Sequence, residues 1–217
     1  MDNDKQHGQP LSKMEYVLQR LRSEMASGEI LPGRQIRQAE IAERYGVSPT
    51  PVREALRLLE ADGMIQYTPH RGATVTELSA RELNDLYLIR TSVETEVARL
   101  AGERATPEQV AEIRRQHEEL KEAARTADAE TLSAMNRDFH LAFLRTGSPL
   151  VTQHVVAPLW QGFLPPSRSQ WRSDERKSLF IAEHEALVQA LEQGDAESVA
   201  DAMSHHLHSA AKSRAED

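Results

Sequence analysis

Nine histidines are spread through this 217-residue chain, and three fall where their imidazoles can meet. His184 lies on the apolar stripe Phe180, His184, Leu187, Leu191; His206 lies on the stripe Val199, Met203, His206, Ala210. Gly194-Asp195 interrupts the helical pattern between them, and each histidine stands 11 residues from Asp195. In an antiparallel hairpin the two are therefore at one level, about 16 Å from the turn. His140 follows Asn136 by four residues, so both side chains leave one face of a third helix. Three inward imidazoles at matched depth are the donor set of a divalent metal centre. Taken singly, each is equally a buried, hydrogen-bonded core histidine. His117 and His154 are either core histidines of that kind or part of the same cavity, whereas His205 and His208 fall off the stripe and are expected in solvent. Glu183 and Glu185 flank His184 and are expected to point away from the interior.

A second group of residues suits phosphate and base-edge contact. Between Gly46 and Gly63 the chain reads as one short helix. Ser48 is placed to cap it, its hydroxyl accepting a first-turn N–H, and Pro49 takes the first helical position, where a missing N–H costs nothing. Val52, Leu56 and Leu59 form an apolar face; Thr50, Arg53, Glu54 and Arg57 lie opposite. Alone, this is equally a solvated surface helix. Its neighbours decide. A helix over 13–27 ends at Gly28, Leu31-Pro32-Gly33 makes a turn, and Gln38 to Tyr45 forms a short helix closed by Gly46. Two short helices joined through a glycine turn make a helix-turn-helix. Met64–Tyr67 and Ala73–Thr76 alternate like strands around a turn over Thr68–Gly72, which makes a wing with Arg71 at its tip.

The elements that hold these residues are mostly helical. Aromatic residues make up 5% of the chain and charged residues 28%, the profile of a helix-rich protein. There is no cysteine, which excludes thiolate metal sites and suits the reducing cytoplasm. No apolar run reaches the roughly 18 residues of a membrane span. The net charge of −8 is uneven: residues 1–76 carry ten basic and ten acidic residues, the remainder sixteen against twenty-four. A DNA-facing first part is therefore permitted. After residue 76, capping signals at Ser79 and Glu82, at Thr106-Pro107 and Gln109, at Asp128, and at Ser148-Pro149 open four helices, and two more run over 174–193 and 196–213. The fold class expected is mainly α: a disordered tail over 1–12, a winged helix-turn-helix over 13–76, and an antiparallel all-α bundle of six or seven helices over 77–217.

Val47-Ser48-Pro49-Thr50-Pro51-Val52-Arg53-Glu54-Ala55-Leu56, with Leu31-Pro32-Gly33, Gly63 and Arg71-Gly72, resembles the GntR-type winged-helix transcription regulators. The resemblance implies that residues around this helix contact DNA: Ser48, Thr50, Arg53, Arg57 and Arg71. Members usually carry arginine where this chain has Pro49, which leaves Arg53 as the principal contact; Arg37, Gln38 and Arg44 are placed to compensate. The helical part resembles the FCD-type ligand-binding domain of the FadR-like branch. Its Asp-x-x-x-His…His…His frame falls on Asn136, His140, His184 and His206, with an amide in place of the carboxylate. Asp138 points roughly 200° around the helix and does not replace it. Arg90, one turn before Glu94, matches an arginine of the family's first bundle helix, either binding an effector carboxylate or paired with Glu94. The resemblance thus implies a homodimeric regulator, a repressor in expectation. It would bind double-stranded operator DNA and a small organic-acid effector near a divalent metal of the zinc, nickel or manganese class, with no membrane partner. Two alternatives stand beside it: a metal sensor without an organic effector, and a metal-dependent hydrolase.

Overall fold

The computed structural model describes residues 11–26, 28–68, 72–162, 171 and 173–215. They fall into two units, which divide between Thr76 and Glu77.

In the first unit, α1 (Lys13–Ala26), α2 (Gln38–Tyr45) and α3 (Pro49–Ala61) surround a small antiparallel sheet of β1 (Gln35–Ile36), β2 (Ile65–Thr68) and β3 (Gly72–Val75), ordered β1-β3-β2. The register pairs Ile65 with Val75 and Tyr67 with Ala73. The two-residue β1 has no alternation long enough to signal a strand. Val17, Leu21, Ile41, Val52, Leu56, Leu59 and Ile65 fill the core. Gly46 ends α2 in the left-handed region at φ 65°, which a side chain rarely adopts, and its N–H bonds the carbonyls of Ala42 and Glu43. Ser48 takes the extended N-cap backbone of α3, but its side chain makes no cap hydrogen bond. This corrects the expectation for its hydroxyl. A capping hydroxyl accepts from the second or third helical residue, and the third here is Pro51, which has no N–H, so only Thr50 is left to donate. The wing turn and Arg71 lie outside the described residues.

The second unit is all helical among the described residues: α4 (Ala80–Arg104), α5 (Pro107–Ala123), α6 (Ala129–Gly147), α7 (Pro149–Val151), α8 (Ala157–Gly162), α9 (Asp174–Gln193) and α10 (Ala196–Ala215). Reciprocal Ser79–Glu82 and Thr106–Gln109 capping boxes open α4 and α5, and Asp128 and Ser173 cap α6 and α9. A π-helical turn over Thr152–Val156 joins α7 to α8 in place of an unbroken α-helix. Side-chain periodicity does not reveal such a turn, because it changes the backbone bonding and not the residue types. Helix α4 packs on α6 and α10, α10 on α9, and α5 on both α6 and α9. Val97, Phe139, Phe143, Leu144, Leu187, Val199 and Met203 form the core. Gly147 lets α6 approach α4 closely: a Cβ there would stand 2.2 Å from the Val97 carbonyl oxygen and 2.7 Å from the Ala101 nitrogen.

Candidate functional site

Helices α6, α9 and α10 bring His140, His184 and His206 together in the interior of the second unit, all three buried. The His140 Nε2 lies 3.1 Å from His184 Nε2 and 3.0 Å from His206 Nε2. Phe180 packs its ring against both His184 and His206, each at 4.7 Å between centroids, and Phe139 lies 4.8 Å from His184. Burial holds the imidazoles of His140 and His184 well below their ordinary pKa, and the neighbouring His206 adds to the effect in both. At neutral pH both rings are uncharged, the form in which a histidine nitrogen can ligate.

The remaining polar atoms constrain how this cluster is satisfied. Glu183 is buried, and its Oε2 lies 2.9 Å from His206 Nδ1. It therefore points inward, contrary to the expectation that it faces away. It sits on the flank where α9 meets α10, and its side chain is long enough to turn into the seam. A carboxylate accepts, so Nδ1 of His206 donates. His140 Nε2 then faces two ring nitrogens, but it holds one proton or one lone pair and can satisfy one of them at most. Three imidazoles in mutual contact cannot all be matched by hydrogen bonds among themselves. One cation accepting three lone pairs resolves the conflict. The separations of 3.0 and 3.1 Å are short enough for these nitrogens to share one ion. Asn136, on the same face of α6 as His140, is buried and its Oδ1 has no hydrogen-bond partner, so an oxygen donor is also at hand. Asp138 is exposed. The donor set fits a divalent metal, with imidazole nitrogens as its principal ligands.

On the α4 side of this cluster, Arg90 and Glu94 are both buried, and Arg90 Nε donates to Glu94 Oε1 at 2.7 Å. The Arg90 guanidinium lies over the Trp160 ring of α8 at 4.1 Å and near the Tyr87 ring at 5.1 Å. Trp160 Nε1 donates to the same Glu94 oxygen at 3.2 Å, and its ring stacks on His140, centroids 5.1 Å apart. Trp160 thus links the buried ion pair to the histidine cluster. The sequence offered no sign of it, since the pattern around residue 160 has no partner to match. Of the two roles considered for Arg90, the pairing with Glu94 is present.

A second group, His117, Glu118 and Glu185, also brings candidate ligand atoms together. Here His117 Nε2 meets Glu185 Oε2 at 2.9 Å, but Arg114 Nη1 already lies 2.9 and 2.8 Å from the two Glu185 oxygens. The guanidinium occupies the place a cation would take. Glu185 is half-buried and points to this cluster, away from the three histidines.

In the first unit, α3 buries Val52, Ala55, Leu56 and Leu59 and exposes Ser48, Thr50, Arg53 and Arg57. Gln38 donates to the Pro49 carbonyl at 2.7 Å, which ties the start of α2 to the start of α3. Arg37 pairs with Glu40 at 3.1 Å on the surface. The Arg44 guanidinium is held by Glu24, bonds the Tyr45 hydroxyl at 3.2 Å and lies over the Tyr45 ring.

Comparison with known proteins agrees with both units. Residues 13–75 match the family described as bacterial regulatory proteins, gntR family, and residues 85–209 match the FCD domain. The chain is 32% identical over 129 residues to YdhC of Bacillus subtilis (strain 168), an HTH-type transcriptional regulator, and 31% identical over 140 residues to the HTH-type transcriptional regulator McbR of Escherichia coli (strain K12). These alignments cover 58% and 64% of this chain, and the chain spans only 58% and 63% of the two relatives' length. A protein of Paenarthrobacter nicotinovorans described as a probable D-xylose utilization operon transcriptional repressor is 31% identical over 187 residues, which cover 85% of this chain and 80% of that protein. The solved structure of E. coli McbR/YncC superposes with a TM-score of 0.76 at 26% identity, covering 93% of this chain and 96% of that one.

Proposed function

This chain belongs to the GntR family of bacterial transcriptional regulators, in the group that carries an FCD domain, and on that premise we propose that it is a ligand-controlled, DNA-binding repressor. Residues 13–76 bind double-stranded operator DNA as part of a homodimer, whose two recognition helices read a two-fold site. Arg53 and Thr50 on α3 contact base edges or phosphates, supported by Ser48, Arg57, Arg37 and Gln38 and by Arg71 on the wing. Arg44, held by Glu24 and Tyr45, supports α2. Pro49 supplies no side-chain donor, so the readout rests on Arg53 more than on the first helical residue.

Residues 77–217 hold a divalent metal on His140, His184 and His206, with Asn136 Oδ1 as a weaker oxygen donor. When bound, the metal acts as a Lewis acid that holds an oxygen ligand of the effector. The observation that carries this half is the mutual approach of three buried ring nitrogens that cannot satisfy one another. Zinc and nickel fit the imidazole set better than manganese. Arg90 contributes the second anchor, a guanidinium fixed between Trp160 and Tyr87 and able to receive a carboxylate. For the effector to change operator affinity, it must bind the DNA-competent and DNA-incompetent states with different free energies. The family members named above are regulators, and the hydrolase alternative draws no support from them.

The test is a fluorescence-anisotropy titration of the DNA segment upstream of the protein's own gene. The nickel-loaded protein is titrated alone, with a panel of small carboxylic acids, and after chelation. The reading expects salt-dependent binding that at least one acid changes by about tenfold or more. If chelation alone changes binding and no acid does, the metal-sensor reading replaces it. If neither changes binding, control by the helical unit is overturned.

A further inference from the structure

Glu94 is the feature that the functional reading leaves unexplained. Its carboxylate is fully buried, and two donors, Arg90 Nε and Trp160 Nε1, converge on Oε1. Oε2 is buried and has no hydrogen-bond partner. An unpaired carboxylate oxygen is among the costlier groups to leave inside a protein, so Oε2 is suited to accept from a bound ligand. Glu94 lies outside the group of candidate ligand atoms that the three histidines form. The carboxylate nevertheless adjoins that centre, because Trp160 bonds it through Nε1 and stacks its ring on His140.

We propose that Glu94 is a specificity residue that accepts a hydrogen bond from a hydroxyl of the effector, so that the pocket selects hydroxy acids over the corresponding plain acids. This rests on the effector reading given above. The carboxylate of such a ligand meets Arg90 or the metal, and its hydroxyl donates to Glu94 Oε2. A hydroxyl fits better than an ammonium group. A divalent metal and Arg90 carry three positive charges, which Glu94, Glu183 and one effector carboxylate balance; a hydroxyl keeps that balance, whereas an ammonium adds charge. A plain acid leaves Oε2 unpaired in the complex, and this penalty is what discriminates.

Malate, succinate and aspartate share one four-carbon diacid skeleton and carry hydroxyl, hydrogen or ammonium at one carbon, which makes them suitable probes. Their affinities for the nickel-loaded full chain are measured by isothermal titration calorimetry, for the unsubstituted protein and for Glu94→Gln. Malate is expected to bind about tenfold or more tighter than either succinate or aspartate, and the ratio to succinate is expected to fall several-fold in Glu94→Gln. The ratio is the readout, because a general loss of folding or metal loading lowers all three affinities together. Equal affinities for malate and succinate would overturn the inference while the effector reading stands. Preference for aspartate would overturn the choice of hydroxyl. Failure of all three to bind would count against both the inference and a carboxylate pocket at Arg90.

Discussion

Glu183 precedes His184 by one residue on α9, yet its carboxylate reaches the other histidine, with Oε2 2.9 Å from Nδ1 of His206 on α10. A carboxylate behind a ligating imidazole fixes its tautomer and orientation, and loss of such a partner typically lowers metal affinity about 10–100-fold. Glu183→Gln is therefore expected to weaken nickel or zinc binding by about that factor while all three imidazoles remain. Competition against a chromophoric chelator measures it. Unchanged affinity would mean that the carboxylate does not support the ligand.

Arg53 lies on the exposed face of α3, opposite the buried Val52, Leu56 and Leu59. Arg53→Ala should cost about 1–3 kcal/mol of operator binding. It should leave the thermal midpoint unchanged, since the side chain takes no part in the core. Anisotropy and a thermal melt of the same preparation separate the two effects. Arg44→Ala is expected to behave oppositely and lose stability, because its guanidinium is bound to Glu24 and Tyr45.

Tyr45 provides a pH-dependent test of the same unit. Burial, with the nearby Glu24 adding to it, pushes its phenol up to about 12. A group whose folded pKa is raised contributes stability that is complete below its unfolded value, about 10, and is lost as pH rises through the folded value. The winged unit should thus lose stability between these limits. Tyr45→Phe should remove that part of the alkaline loss. Ultraviolet difference titration should show one tyrosine ionising last.

Gly147 tests the packing of α6 on α4. With the Val97 carbonyl oxygen 2.2 Å from where a Cβ would stand, Gly147→Ala forces backbone against backbone. A destabilisation of about 1–3 kcal/mol is expected. It should appear as a lower urea midpoint at unchanged slope.

Legibility in the sequence differed from residue to residue. Symmetry about Asp195 put His184 and His206 at one level, because helical rise converts residue count into distance directly. The helix-turn-helix followed from glycines that end helices and from Pro49, each of which acts through its own backbone. The inward turn of Glu183 could not be read, because helix periodicity fixes where a side chain leaves the axis and not where a long one ends. The missing Ser48 cap bond has a local cause that the sequence contains: Pro51 removes one of the two N–H groups its hydroxyl could accept from. Trp160 and the π turn before it depend on backbone bonding and on contacts with α4 and α6, which no short window of residues encodes.

The function proposed for the helical unit turns on whether His140, His184 and His206 hold a metal. Metal content per chain, measured by inductively coupled plasma mass spectrometry after nickel or zinc loading and gel filtration, tests it most directly. The unsubstituted chain is compared with His184→Ala/His206→Ala and with the milder His206→Gln, each checked for helical content. About one ion per chain is expected for the unsubstituted protein, none for the double variant, and reduced retention for His206→Gln at unchanged fold. Stoichiometric metal retained by a folded double variant, or none held by the unsubstituted chain, would contradict it.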